Sequence, residues 1–275
     1  MLTNPDLLRL EPVPRLLERL KEEVAASFVP GKPVRVSRAP GRLDVMGGIA
    51  DYTGSLVCEM PLDRAAAVAL QARDDRRVQV FSFNLLDDNR PFTLVVPLDA
   101  LTKPIEMLRG DLNDRGRRWA SYLVGCLAIL HDEKIIDLTN PDIKGVNLAL
   151  YSSVPLGAGV SSSAAIEVAT MINLIDHYLP FLNGQGDDIT AMRIAAMCQR
   201  VENQIAGAPC GIMDQAASAC GEAGALMRLH CQPHTLVGPL FLPAGVRTIG
   251  INSGVKHSVG HGGYGKTRVR RVHGP

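Results

Sequence analysis

Three clusters in this 275-residue chain have the residue types and spacing that phosphoryl chemistry asks for. The first is "SSVPLGAGVSSSAAIEVAT" at 152–170. Gly157 and Gly159 permit positive φ and close approach of the backbone to a ligand. Ser161, Ser162 and Ser163 follow where a helix begins, so unpaired N–H groups and the macrodipole attract an anion there. Their hydroxyls can bond phosphate or ligate a divalent cation. A single serine would be explained as a plain N-cap. Three serines after Pro155-Leu156-Gly157-Ala158-Gly159 point instead to a phosphate loop.

The second cluster, "ENQIAGAPCGIMDQ" at 202–215, sets Glu202 late on a helix and Asp214 beyond a tight Gly/Pro turn. Two carboxylates so placed can share a site, one to orient or deprotonate an acceptor hydroxyl and one to hold magnesium. On its own the pair is better explained by solvated acids flanking a turn. The third, "GRLDVMGGIADYTGS" at 41–55, puts Arg42, Asp44 and Asp51 in a glycine-rich segment. That is either a loop with a surface ion pair or backbone passing close to a small ligand. A fourth stretch, "GHGGYGKT" at 260–267, matches P-loop spacing. A P-loop must lead into a helix, and only eight residues containing Gly and Pro remain after Thr267. It reads as a chance match in a Gly-rich segment.

The elements that must position these clusters follow from periodicity. Residues 5–28 read as a helical lead-in broken near Pro12 and Pro14. "PVRVSRAP" reads as a strand entering a loop, followed by strands in "SLVCEMPL", "RRVQVFSF" and "FTLVVPL". A strong helix spans 117–133 and a strand 143–152. Helices follow over about 161–178 and 188–206, then strands in "GALMRLHC" and "VRTIGIN". Strands and helices mix without strict alternation, which predicts an α+β fold.

Composition narrows the class. Twenty-nine basic residues nearly balance 28 acidic ones, so a net charge of +1 gives no general attraction to nucleic acid or to an acidic membrane. No run of apolar residues is long enough to span a bilayer, and no signal pattern opens the chain. The six cysteines form no C-x-x-C pair and lie mostly in apolar surroundings, which suits buried thiols in a reducing compartment. A cytoplasmic monomer is expected, with small molecules as its partners.

Taken in order, "APGRLDVMGGIADYTGS", "VPLGAGVSSSAA" and "GAPCGIMDQ" resemble the galactokinase branch of the GHMP kinases, and "INSGVKHSVGHGGYGKTRVRR" resembles that branch's N-S-x-V-x-H-S segment. Within the branch the pattern is most similar to that of the L-arabinokinases. The resemblance implies a two-domain GHMP kinase fold, with an N-terminal α/β domain containing a left-handed βαβ crossover. It implies ATP and Mg²⁺ as cofactors, and transfer of the γ-phosphoryl to the anomeric hydroxyl of a sugar. By family position Asp214 would receive or orient the hydroxyl proton. Arg42 would face it, lowering its pKa and neutralising charge on the transferring group. Ser163, with Ser162, and Glu202 would hold Mg²⁺. The loop Pro155, Gly157, Ala158, Gly159, Ser161, Ser162 and Ser163 would wrap the phosphates. Asp51 would bind sugar hydroxyls, with Asp44, Gly48, Ile49 and Tyr52 completing the substrate site.

Galactokinases carry Glu-His where this chain has Gly48-Ile49, near the hydroxymethyl of the sugar. A site that no longer bonds that group should stop favouring galactose. L-Arabinose is galactose without the hydroxymethyl, so an L-arabinose 1-kinase is expected. The alternatives are a galactokinase, another GHMP sugar kinase, or a silent sugar- and ATP-binding relative. The expected organisation is a lead-in over 1–32, the ATP-binding domain over 33–223, and the beginning of a C-terminal domain over 224–275. The branch continues past that point, so strands after 224 are expected to lack sheet partners and the chain alone to show little turnover.

Overall fold

The sheet is organised by one long strand. In the computed structural model, which describes residues 5–48, 50–112, 116–182 and 189–254, strands β1 (Arg35–Met46), β2 (Leu56–Ala72), β3 (Arg77–Ser82), β4 (Thr93–Pro97), β5 (Val146–Ser152), β6 (Ala225–His230) and β7 (Thr235–Phe241) form a single mixed sheet. β2 pairs antiparallel with β1 along one edge. Its other edge is shared: Ala66–Ala72 pair with β5 and Leu56–Glu59 with β6. β3 runs parallel to β5 and antiparallel to β4, and β7 pairs with β6.

The described residues also form α-helices α1 (Val13–Glu23), α2 (Phe83–Asp87), α3 (Ile105–Leu112), α4 (Ser121–Asp132), α5 (Ser162–His177), α6 (Ala191–Arg200) and α7 (Met213–Cys220). Strand alternation decides which face each covers. Ala66, Val68 and Leu70 of β2 join Val78, Val80, Val146 and Leu148 beneath α4 and α5. Ala67, Ala69, Phe81 and Ala149 point the other way, against Val13, Leu16 and Leu20 of α1. Small residues on that second face let α1 sit close. The helix α5 is buried over most of its circumference, between β1 and β2 on one side and α4, α6 and α7 on the others. That explains a sequence apolar on nearly every face.

Three sequence expectations change. Residues 41–46, read as loop, continue β1 and pair with Cys58–Pro61 across two register shifts. The shifts account for the broken periodicity, because each bulge resets the alternation. Strands beyond 224 do have partners at first: β2 is 17 residues long, β5 has 7, and the uncovered end of β2 accepts β6. "VRTIGIN" forms no strand, whereas "TLVGPLF" forms β7. The second half of the expected helix over 188–206 is a π-helical turn, Val201–Ala206. Four of the six cysteines are buried and two are half-buried. No described helix is long and apolar enough to cross a membrane. The 260–267 stretch lies outside the described residues.

The two faces of β2 should respond oppositely to volume. Leu70→Ala should lose about 2–5 kcal/mol by leaving a cavity. Ala69→Leu should lose about 1–3 kcal/mol by pushing α1 off the sheet. Urea unfolding of each variant measures both; tolerance of Ala69→Leu would show that α1 is not closely seated.

Candidate active site

Arg42 lies at the first bulge of β1, and its guanidinium joins the three sequence clusters. Nε and Nη2 donate to Oδ1 of Asp214 at 2.9 and 2.6 Å, and Nη1 donates to the Gly159 carbonyl at 2.7 Å. Its backbone N–H donates to the Val160 carbonyl at 3.1 Å. The neighbouring Gly41 leaves no room for a side chain, since a Cβ would lie 2.7 Å from that same carbonyl. Only 6% of Arg42 is exposed. Burial works against its charge, but the acids around it, Asp214 first, outweigh burial and its pKa is raised. Both hydrogen bonds to Asp214 go to Oδ1; among the described residues, Oδ2 accepts none.

Asp214 is in the first turn of α7, and two contacts fix that helix. Ser218 Oγ donates to the Pro40 carbonyl at 2.8 Å. Asp51, at a 3-10 turn over Ala50–Thr53, accepts from the backbone N–H of Ile212 at 3.1 Å and of Met213 at 3.3 Å. Gly211 is what lets Asp51 in: a Cβ there would lie 1.7 Å from Asp51 Oδ2. Burial raises the Asp51 pKa, opposed by its hydrogen bonds from Cys231, Met213 and Ile212.

The phosphate loop runs from the end of β5 to α5. Gly157, Gly159 and Ser161 have φ of 71°, 72° and 59°. A serine held in the left-handed region is strained, and such strain gathers at ligand sites. Ser161 Oγ is buried without a hydrogen-bond partner among the described residues. It therefore waits at the helix N-terminus with an unused donor, as an anion site would require. Pro155 and Gly159 are exposed, while Gly157, Ala158, Ser162 and Ser163 are half-buried.

Glu202 sits on the π-helical turn and is buried. Such turns often mark functional sites. The carboxylate accepts from Ser163, Cys210 and Gln215, and burial followed by Asp214 raises its pKa to about 7. Ser163 and Glu202 are thus brought together, beside the loop and near Asp214. Among the described residues no group of three or more His, Cys, Asp or Glu forms a ready metal cage. A hydroxyl and a carboxylate are nonetheless the hard oxygen donors that Mg²⁺ takes when substrate phosphates supply its other ligands.

A profile of the GHMP kinases N terminal domain matches residues 121–222, and a galactokinase galactose-binding signature matches residues 26–72. The chain thus carries a GHMP kinase N-terminal domain preceded by a galactokinase galactose-binding signature. L-Arabinokinase of Arabidopsis thaliana is 39% identical over 261 residues, covering 85% of this chain and 24% of that protein. Galactokinase of Chloroflexus aggregans is 34% identical over 237 residues, covering 86% and 53%. The galactokinase of Lactococcus lactis, solved with galactose, matches 83% of this chain and 52% of its own with TM-score 0.67 at 24% identity. The chain therefore spans about half the length of the galactokinases it matches.

The remaining positions expected at a substrate site are more dispersed. Asp44 is exposed and its Oδ2 accepts from the Gly48 N–H at 2.6 Å. Gly48 has φ 54° and open space where a Cβ would stand. Tyr52 is half-buried on the turn that carries Asp51. Ile49 lies outside the described residues. A cleft of about 1000 Å³ opens beside the loop, lined by Asp44, Pro155, Ala158 and Gly159 and by 242–252. Arg42 and Asp214 do not line it, so their convergence with the loop, not the cleft, marks the site.

Three residues went unnoticed in the sequence. Glu167 of α5 is fully buried, and burial with Glu202 raises its pKa well above the usual range. Gln215 Nε2 donates to Glu202 Oε2 at 2.7 Å and to Glu167 Oε2 at 3.2 Å, bridging the two acids. Glu59 of β2 lies beside Arg42. For the two acids the signal was a lone carboxylate inside an otherwise apolar helix or strand, which is rarely solvated.

Gly211→Ala should dislodge Asp51 from α7, and Asp51→Ala should remove the same contact. Each is expected to lose about 0.5–2 kcal/mol, the range for a lost N-terminal cap, or more where the clash is not relieved. The double variant should lose less than their sum. A double-mutant cycle by denaturant unfolding checks this, and additive losses would separate Gly211 from Asp51.

Proposed function

We propose that this chain carries the nucleotide- and sugar-binding part of an ATP-dependent sugar 1-kinase whose preferred acceptor is L-arabinose. The observation that carries the reading is the Arg42 guanidinium, which holds Asp214 and the phosphate loop at once. The α5 N-terminus, Ser161 and the loop amides would receive the phosphates of ATP. Asp214 keeps Oδ1 for Arg42, which leaves Oδ2 to accept the proton of the anomeric hydroxyl. The deprotonating oxygen attacks the γ-phosphorus as the bond to the bridging oxygen of ADP breaks. Arg42 stabilises the charge that spreads over the transferring group. Ser163 and Glu202 would hold Mg²⁺, which when bound neutralises phosphate charge. Positioning and charge supply most of what phosphoryl transfer needs.

L-Arabinose is favoured over galactose by Gly48-Ile49, where neither side chain can hydrogen-bond a hydroxymethyl group. The greater identity to the Arabidopsis L-arabinokinase points the same way. Asp51 would reach sugar hydroxyls only through whatever acceptor capacity its contacts with α7 leave.

Calorimetric titration with L-arabinose and D-galactose, in the presence of magnesium and a non-hydrolysable ATP analogue, tests the acceptor. L-Arabinose should bind at least about tenfold more tightly, the discrimination of a site that loses or gains one polar contact; tighter galactose binding would reverse the assignment. In the protein showing turnover, Asp214→Asn should lower kcat by about 10²–10⁴, the contribution of a positioned proton acceptor.

A further inference from the structure

Among the described residues, Glu59 is the ionisable side chain pressed against the Arg42–Asp214 pair that the mechanism leaves unused. It has no exposed surface. Its Oε2 lies 3.2 Å from Arg42 Nε, yet neither oxygen has a hydrogen bond among the described residues. Geometry explains this. The single hydrogen on Nε is directed to Asp214 Oδ1, Nη2 is directed to the same oxygen, and Nη1 holds the Gly159 carbonyl. Oε1 is packed at the other end against Gly47, where a Cβ would lie 2.6 Å away.

The groups that face Glu59 are mostly acids. Asp44 is its register partner on β1, Asp51 comes from the 3-10 turn and Asp214 from α7; Arg42 is the cation, and the Cys231 thiol follows β6. Burial pushes the Glu59 carboxyl up to about 9, opposed first by Arg42 and reinforced by Asp44, Asp214 and Asp51.

We propose that Glu59 is a positioning residue, kept as a buried neutral acid so that Arg42 is left wholly to Asp214 and Gly159, and that its ionisation draws Arg42 away and loosens the phosphate loop. The role in nucleotide binding rests on the kinase reading above; the role as a neutral acid does not. Its sign in stability follows from linkage. The folded chain keeps a proton that the unfolded chain releases, so stability falls as pH rises from about 4.5 to about 9.

Glu59→Gln removes the titration and keeps the shape. Thermal unfolding between pH 5 and pH 9 should show the melting temperature of the variant gaining steadily on the parent as pH rises. Parallel profiles would overturn the proposal. Titration with magnesium and adenylyl imidodiphosphate should give similar affinity for both proteins at pH 7, with the parent weakening by about tenfold toward pH 10 and the variant staying level. Equal alkaline weakening, or a variant already weak at pH 7, would overturn the positioning role. If neither protein binds nucleotide at any pH, the kinase reading fails, and the melting profiles still decide the state of Glu59. Should the Gln variant not fold, Asp214→Asn serves instead. Releasing Arg42 to Glu59 should flatten the alkaline loss of melting temperature, and an unchanged slope would count against the proposal.

Discussion

Arg42 is a buried cation that must be paired, and the way it is paired holds the site together. A buried guanidinium left without acceptors would be strongly destabilising. Here its donors reach a carboxylate on α7 and a carbonyl of the loop between β5 and α5. Elements more than a hundred residues apart in sequence are thereby fixed relative to β1. Ser218 on Pro40 and the Val160 carbonyl on the Arg42 N–H repeat the connection through the backbone. On the kinase reading, the positioning and charge stabilisation that phosphoryl transfer most depends on would come from one side chain and its neighbours.

The site concentrates acids around few cations. Glu59, Glu167 and Glu202 all have raised pKa values, and burial is the first cause in each. Gln215 separates two of them as a neutral donor to both. An arrangement so acidic is poorly balanced in the bare protein. A divalent cation near Ser163 and Glu202 would reverse the local electrostatics, which fits donors whose remaining partner is a metal–nucleotide complex.

Much of this was legible in the sequence, and the exceptions have physical causes. The alternation of β3 and β4 and the apolar run of α5 showed where those elements lie. The three clusters carried Arg42, Ser163, Glu202 and Asp214, and the structure gathers all four. The continuation of β1 through Leu43 was hidden because two bulges break its alternation and because glycines read as loop. β7 was missed because Gly238 and Pro239 interrupt an already exposed edge strand, while "VRTIGIN" alternates without a neighbour to pair with. Asp51 was expected at the sugar, and its link to α7 was not foreseen. Its two contacts with α7 depend on Gly211 having no side chain, a relation between residues 160 positions apart that no local pattern encodes.

The central claim is that Arg42 couples the loop to the acid on α7 through a fork that another cation cannot reproduce. Arg42→Lys keeps the charge but cannot reach Asp214 and Gly159 together. Calorimetric titration of this variant with magnesium and adenylyl imidodiphosphate measures the coupling directly. Loss of a charge-assisted bond to the loop predicts affinity weakened by about tenfold or more. Affinity equal to that of the parent chain would contradict the claim.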